Sequence, residues 1–186
     1  MKQRENRKAG GLIMMLHRFL VQTKGAIAVE FAMIFPLMLT IYFGTVEMSH
    51  ALAASRKVTL LTSTVGDIVA QLGKVGPNAM AGIYDAADEI MRPFDTDGAG
   101  QLRINVFTIA VDPADNWTHS PNGACPQGTP AVPPALLASG GSVIVTQVCY
   151  IHNSILSQFF TSDPTFSDVF YLRPRQVDVI EWDPTD

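Results

Sequence analysis

The chain is poor in the patterns that carry chemistry. Its four histidines, His17, His50, His119 and His152, are scattered, with no H-x-x-x-H pair and none at zinc spacing from a cysteine. It has no G-x-S-x-G, no Walker loop and no G-x-G-x-x-G. Nothing in it points to an enzyme, a cofactor or a metal. Asp95-Thr96-Asp97-Gly98 is half of a calcium loop, but the third Asp or Asn and the distant Glu of an EF-hand are missing, so it reads as a turn. Long basic stripes are lacking beyond the first 24 residues, which argues against nucleic acid as a partner. Cysteine is scarce too, with Cys125 and Cys149 the only two.

What the chain has instead is one apolar block. Gly25 to Val46 reads GAIAVEFAMIFPLMLTIYFGTV, apolar almost throughout but for Glu30. Ala26 to Val46 makes roughly 31 Å of helix, enough to cross a bilayer core. Charge is split around this block. Before Gly25 stand Lys2, Arg4, Arg7, Lys8, Arg18 and Lys24 against Glu5 alone. After it stand seven Lys/Arg against sixteen Asp/Glu, so the net −4 is the difference between a +5 leader and a −9 remainder. Basic residues at the start of an apolar helix hold that end in the cytoplasm. The acidic remainder is therefore expected to be exported, with membrane lipid around the helix. An oxidising compartment favours pairing of Cys125 with Cys149, the alternative being two buried thiols. Closing that loop stabilises a fold by roughly 3.5 kcal/mol in the chain-entropy model.

Residues 1–24 do not make an ordinary secretory signal. Such a signal has its apolar core before the cut and small residues at it, whereas here the apolar run follows Gly25. Met1, Met14 and Met15 are all possible starts and leave the same junction. The junction and helix, KGAIAVEFAMIFPLMLTIYFGTVEMSHAL, resemble the TadE-like minor pilins (pseudopilins) of tight-adherence (Tad) pilus systems. The family pattern is a basic residue and Gly, a small residue, V-E-F-A, an apolar run with Pro, then F-G-x-x-E. Here these are Lys24-Gly25, Ala26, Val29-Glu30-Phe31-Ala32, Pro36 and Phe43-Gly44-Thr45-Val46-Glu47, with Arg56 following. The tail Tyr171-Leu172-Arg173-Pro174-Arg175, followed by Trp182, also looks TadE- or TadG-like, more weakly. The resemblance implies cleavage between Gly25 and Ala26 by a prepilin peptidase, and assembly or processing roles for Glu30 and Phe31. It also implies other Tad pilins and inner-membrane pilus assembly proteins as partners.

The carboxylate in this helix has a physical reading of its own. An ionised carboxylate in a bilayer costs at least ~2.5 kcal/mol and is usually paired and functional. Glu30 would be the fifth residue of a chain starting at Ala26, about one turn from the new amine, so an amine of this chain or of a neighbour can compensate it. The plainer alternative is an interfacial Glu kept wet by headgroups. Pro36 removes one backbone hydrogen bond and is expected to bend the helix. Glu47 lies near the outer interface, either as a polar residue of a continuing helix or as a docking contact.

The exported part reads as helix, then sheet. Met48, Leu52, Ser55, Val58, Leu61, Val65, Ile68 and Leu72 recur at steps of three and four, an apolar stripe expected to pack on the protein's own sheet. Gly73, Gly76 and Pro77 end it. A second helix is expected from Ala79 to about Met91, capped by Asn78 and ended by Arg92-Pro93. Leu102–Val111 and Ser142–Ile151 read as strands. Asp112–Gly141 is a long Pro/Gly/Ser-rich connection, and loops of that length are usually functional or tied down. Trp117 reads as its anchor on the core rather than as a ligand platform. Asn116-Trp117-Thr118 is a formal sequon best explained by chance. Asn153–Phe160 is a short helix or an irregular excursion, Phe166–Leu172 docks on the core, and Val177–Trp182 is a last strand. Arg173 and Arg175 read as surface or carboxylate-pairing residues.

The expected fold is α+β, a long N-terminal membrane helix continuing into a domain with a small antiparallel sheet. The expected divisions are a cleaved cytoplasmic leader 1–25, a transmembrane helix 26–46, a helix extension 47–72 and a periplasmic domain 73–186. The expected function is structural: a minor pilin or assembly factor of a Tad pilus used in adherence, in the inner membrane or carried into the pilus. The size of the exported part favours a minor component over an abundant filament subunit. A TadG-like chain is disfavoured because no D-x-S-x-S motif is present. One rival is an unprocessed single-pass envelope protein whose periplasmic domain binds a ligand or partner. Another is an envelope enzyme, which would need polar residues to converge around Trp117, His119 and His152.

Overall fold

The computed structural model describes residues 23–94, 96, 101–137, 140–153 and 163–186. The leader up to Gln22, most of the Asp95–Gly98 turn and most of the Asn153–Phe160 excursion lie outside the described residues. The chain divides into two compact units, Met1–Met48 and Ser49–Asp186. One helix, α1 (Thr23–Gln71), contributes its first part to one unit and its last part to the other.

In the second unit, the end of α1 is followed by β1 (Lys74–Val75), α2 (Pro77–Met91), β2 (Leu102–Ala110) and a 3-10 turn (Pro113–Asp115). Then come β3 (Thr118–His119), α3 (Pro134–Leu137), β4 (Ser142–Ile151), β5 (Thr165–Leu172) and β6 (Glu181–Trp182). The main sheet is antiparallel in the order β3-β2-β4-β5, and β1 pairs with β6 in parallel. The architecture is α+β, as the sequence implies.

Alternation along the strands builds two cores. Leu102, Ile104 and Val106 of β2 and Ile144, Val148 and Tyr150 of β4 share one face, which packs on Val58, Leu61, Val65 and Val69 of α1 and on Met80, Ile83, Ala87 and Met91 of α2. The α2 residues recur at three and four, as one helix face must. The opposite face carries Phe107, Val143 and Val145. It is covered by the 112–141 connection, through Val132, Leu136 and Leu137. The β4 strand is therefore buried on both faces, which explains its unbroken β-branched run.

The buried stripe of α1 differs from the expected one. Met48 is 62% exposed and Leu52 55%, while Ala54, Thr62, Gly66 and Ala70 join Val58, Leu61, Val65 and Val69 in the core. At Gly66 the absence of a side chain lets the helix come close to the sheet. A Cβ on Gly66 would lie 2.5 Å from Leu172 Cδ1 and 3.1 Å from Thr146 Oγ1.

Three further expectations are corrected. The N-cap of α2 is Gly76, with Pro77 at the first helical position, rather than Asn78. The Ala79 N–H is instead met by Asp186 Oδ2 at 3.3 Å. Phe166–Leu172 is not merely docked: it belongs to β5, paired with β4 from Ile144↔Leu172 to Ile151↔Thr165. The last strand is only Glu181–Trp182. Its expected first half bends instead, because Asp178 O accepts from both Ser142 N (3.0 Å) and Ser142 Oγ (3.1 Å) at the start of β4.

Candidate functional site: an apolar helix with one carboxylate

The first part of α1 is apolar on every side. Met33, Ile34 and Phe35 are consecutive, so they point in three directions, and they are 76%, 53% and 45% exposed. Ile27, Phe31, Met38, Ile41 and Phe43 are exposed as well. A helix apolar all round needs lipid or other helices about it. This is the one described helix long and apolar enough to cross a membrane, and none of its most apolar window is buried. It suggests a single-pass membrane anchor.

The polar groups in this stretch are few. Thr40 Oγ1 donates to Pro36 O at 2.9 Å and Thr45 Oγ1 to Ile41 O at 2.8 Å, so both hydroxyls are satisfied within the helix, as a nonpolar surrounding demands. Pro36 sits inside the helix and offers no N–H to the turn before it. Phe31 and Phe35 lie side by side, ring centroids 5.6 Å apart. Glu30 is exposed, in register with Ala26 one turn earlier. Glu47 is half-buried.

Residues 25–65 match the family model described as TadE-like protein. The chain carries a TadE-like segment. No curated protein and no solved structure matches the chain significantly. The TadE-like segment starts at Gly25, includes Ala26, Glu30, Phe31, Pro36 and Glu47, and stops at Val65, before β1 and the sheet. It supports a protein related to Tad pili.

The sheet domain accounts for the other residues singled out. Cys125 and Cys149 are joined in a disulfide, Cα atoms 5.9 Å apart. The bond fixes the long connection to the outer face of β4. Further ties flank it: Arg103 donates to Ala124 O at 2.8 Å, Gln147 Nε2 to Gly128 O at 2.9 Å and Tyr171 OH to Ala131 O at 3.1 Å. Buried Asn105, with its amide oxygen turned to the Cys125 N–H (3.0 Å), donates to Gly123 O and Ser120 Oγ, both at 3.1 Å. The loop is thus tied down by much more than the disulfide. Trp117 anchors the same connection: its Nε1 donates to Ile180 O at 2.8 Å. Arg175 pairs with Asp67, and Arg173 donates to Leu136 O.

The histidines fall in separate surroundings. His119 stacks on Tyr84 and approaches Trp182, and burial holds its pKa below the ordinary value. Buried His152 lies among the rings of Phe94, Tyr150 and Phe166. Burial also pushes the Tyr84 phenol well above its ordinary value. Among the described residues, no group of three or more His, Cys, Asp or Glu is placed to hold a metal ion. Gly66 is absent from the expected stripe, and Trp182 stands in the expected pattern only at the end of the tail. A glycine between valines in a helix stripe marks close approach; the partners of Trp182 had no local signal.

Proposed function

We propose that the protein is a TadE-like minor pilin or pilus assembly factor, processed by a prepilin peptidase between Gly25 and Ala26. The observation that carries this reading is the TadE-like match to an all-round apolar helix whose one early carboxylate, Glu30, lies a turn after Ala26. Cleavage would place a cationic amine on Ala26, on the same helix face as Glu30. An ionised Glu30 costs at least ~2.5 kcal/mol in lipid, a bias of roughly 70-fold towards any state in which a cation meets it. The amine of a neighbouring subunit is such a cation, so Glu30 selects one helix register over others. Phe31, next to it, supplies apolar contact. Pro36 lets the helix bend as it packs, and Glu47 stands where the helix meets the outer headgroups. In this reading the basic leader stays in the cytoplasm and the sheet domain is periplasmic. The chemistry is done to the protein by the peptidase, and its own work is packing with other Tad pilins and the inner-membrane assembly proteins, in the service of adherence.

The test is a pair of variants followed for processing and piliation. Gly25→Val is expected to abolish cleavage. Glu30→Gln is expected to be cleaved but not assembled. Normal cleavage and normal assembly of both variants would contradict the proposal.

A further inference from the structure

A cleft of about 360 Å³ lies between residues 114–117 and residues 179–182. Both tryptophans of the chain, Trp117 and Trp182, line it, with Asp115, Asn116 and Glu181 beside them. The two indoles touch, ring centroids 5.3 Å apart and planes at 38°. His119 continues the row 5.0 Å from Trp182, and Tyr84 lies 5.8 Å from His119. The bond from Trp117 Nε1 to the buried Ile180 fixes the row, while both indoles remain only half-buried. Anchoring uses the indole N–H and leaves ring surface at the cleft.

The spacing decides what kind of ligand fits. A cationic group is caged by rings that stand apart around it. At 5.0–5.8 Å these rings contact one another and leave no slot between them. The row therefore offers a surface to lie on. The side chains around it are acidic: Asp115 is exposed, and Glu181 pairs at 3.0 Å with Lys74. Phosphates and nucleotides would meet like charge there. Carboxylates accept hydrogen bonds from hydroxyls, and Asn116, whose Oδ1 accepts from Ala110 N at 2.7 Å, keeps its amide donors. A pyranose has C–H bonds on its face and hydroxyls on its edge, which matches an indole surface flanked by acceptors and a donor. We propose that this cleft binds an uncharged hexose unit of a polysaccharide, its face on the tryptophans and its hydroxyl protons given to Asp115. The inference rests on the sheet domain alone and stands or falls separately from the pilin reading.

The test titrates the full chain, held in detergent micelles, with cellotriose, maltotriose and the trimer of N-acetylglucosamine, while the two indole N–H resonances are followed. A saturable shift with at least one trimer is expected, with a dissociation constant on the order of 1 mM. Asp115→Ala, an exposed substitution, is expected to weaken that binding about tenfold. Trp182→Ala is expected to abolish it while the Trp117 Nε1–H, still bonded to Ile180 O, keeps its slow exchange with solvent. No saturable shift with any of the three up to ~20 mM would overturn the proposal. So would unchanged affinity in Asp115→Ala, or a response to choline chloride or inorganic phosphate in place of the saccharides.

Discussion

Gly76 is a position where one methyl group should be felt across the domain. It caps α2 with φ −134° and ψ −176°, extended backbone open to any residue, so conformation does not require glycine there. Space does. A Cβ would lie 2.4 Å from the Asp183 carbonyl oxygen and 2.4 Å from Asp186 Cβ. The first of these is main chain and cannot swing aside, so residues 181–186 must shift. That movement loosens Asp183 N→Val75 O (2.9 Å), Ala79 N→Asp186 Oδ2 (3.3 Å) and the β1–β6 pairing. The exposed Lys74–Glu181 pair adds little. Overpacking costs about 1–3 kcal/mol and a lost hydrogen bond about 0.5–1.5 kcal/mol, so Gly76→Ala should cost about 2–4 kcal/mol. At roughly 2–4 °C per kcal/mol, the Tm of the detergent-solubilised chain should fall by about 4–16 °C. Gly76→Ser separates crowding from capping. Serine caps well, so a lost cap would be repaired by it, whereas crowding makes it as unstable as alanine. Native stability in Gly76→Ala, or recovery in Gly76→Ser, would refute the reasoning.

Other outcomes follow from the same domain. Gly82, exposed on α2, has nothing within 4 Å of an added Cβ, so Gly82→Ala should stabilise by up to about 1 kcal/mol in urea unfolding. Lys57 Nζ donates to Ile90 O (2.6 Å) and Arg92 O (2.5 Å), and Lys57→Met should cost about 1–3 kcal/mol, with faster amide exchange in the last turn of α2. His119 has a folded pKa below its unfolded one, so between the two values the unfolded chain binds more protons. Its contribution is full above the unfolded value of about 6.5 and falls as pH drops through it. The urea midpoint should be lower at acid pH than at neutral pH, and His119→Gln should shrink that difference; an equal difference in both proteins would rule out this role for His119.

The long apolar helix and both central strands were legible because each is one long pattern. Gly25–Val46 is an apolar run with Glu30 as its one charged residue, and Leu102–Ala110 and Ser142–Ile151 are β-branched runs bounded by turn residues. Pairing of Cys125 with Cys149 was one of two readings open from the sequence, two buried thiols being the other, and the structure has the disulfide. Features that depend on distant partners were harder to read. Val177–Ile180 is rich in β-branched residues like a strand, yet its chain bends to give Asp178 O to Ser142. Two-residue β6 exists because Lys74–Val75, more than a hundred residues earlier, pairs with it. The α1 stripe was read by hydrophobicity, which favours Met48 and Leu52, whereas the buried face takes in the small Ala54, Gly66 and Ala70. Trp117 could be read as an anchor, but the surface it shares with Trp182 arises only when the tail folds back.

The most direct measurement for the pilin reading is the intact mass and N-terminal sequence of the chain extracted from membranes of cells that assemble the pilus. A mature chain beginning at Ala26, with Glu30 as its fifth residue, is the expected result. A chain that keeps residues upstream of Gly25 contradicts the reading and leaves an unprocessed single-pass envelope protein in its place.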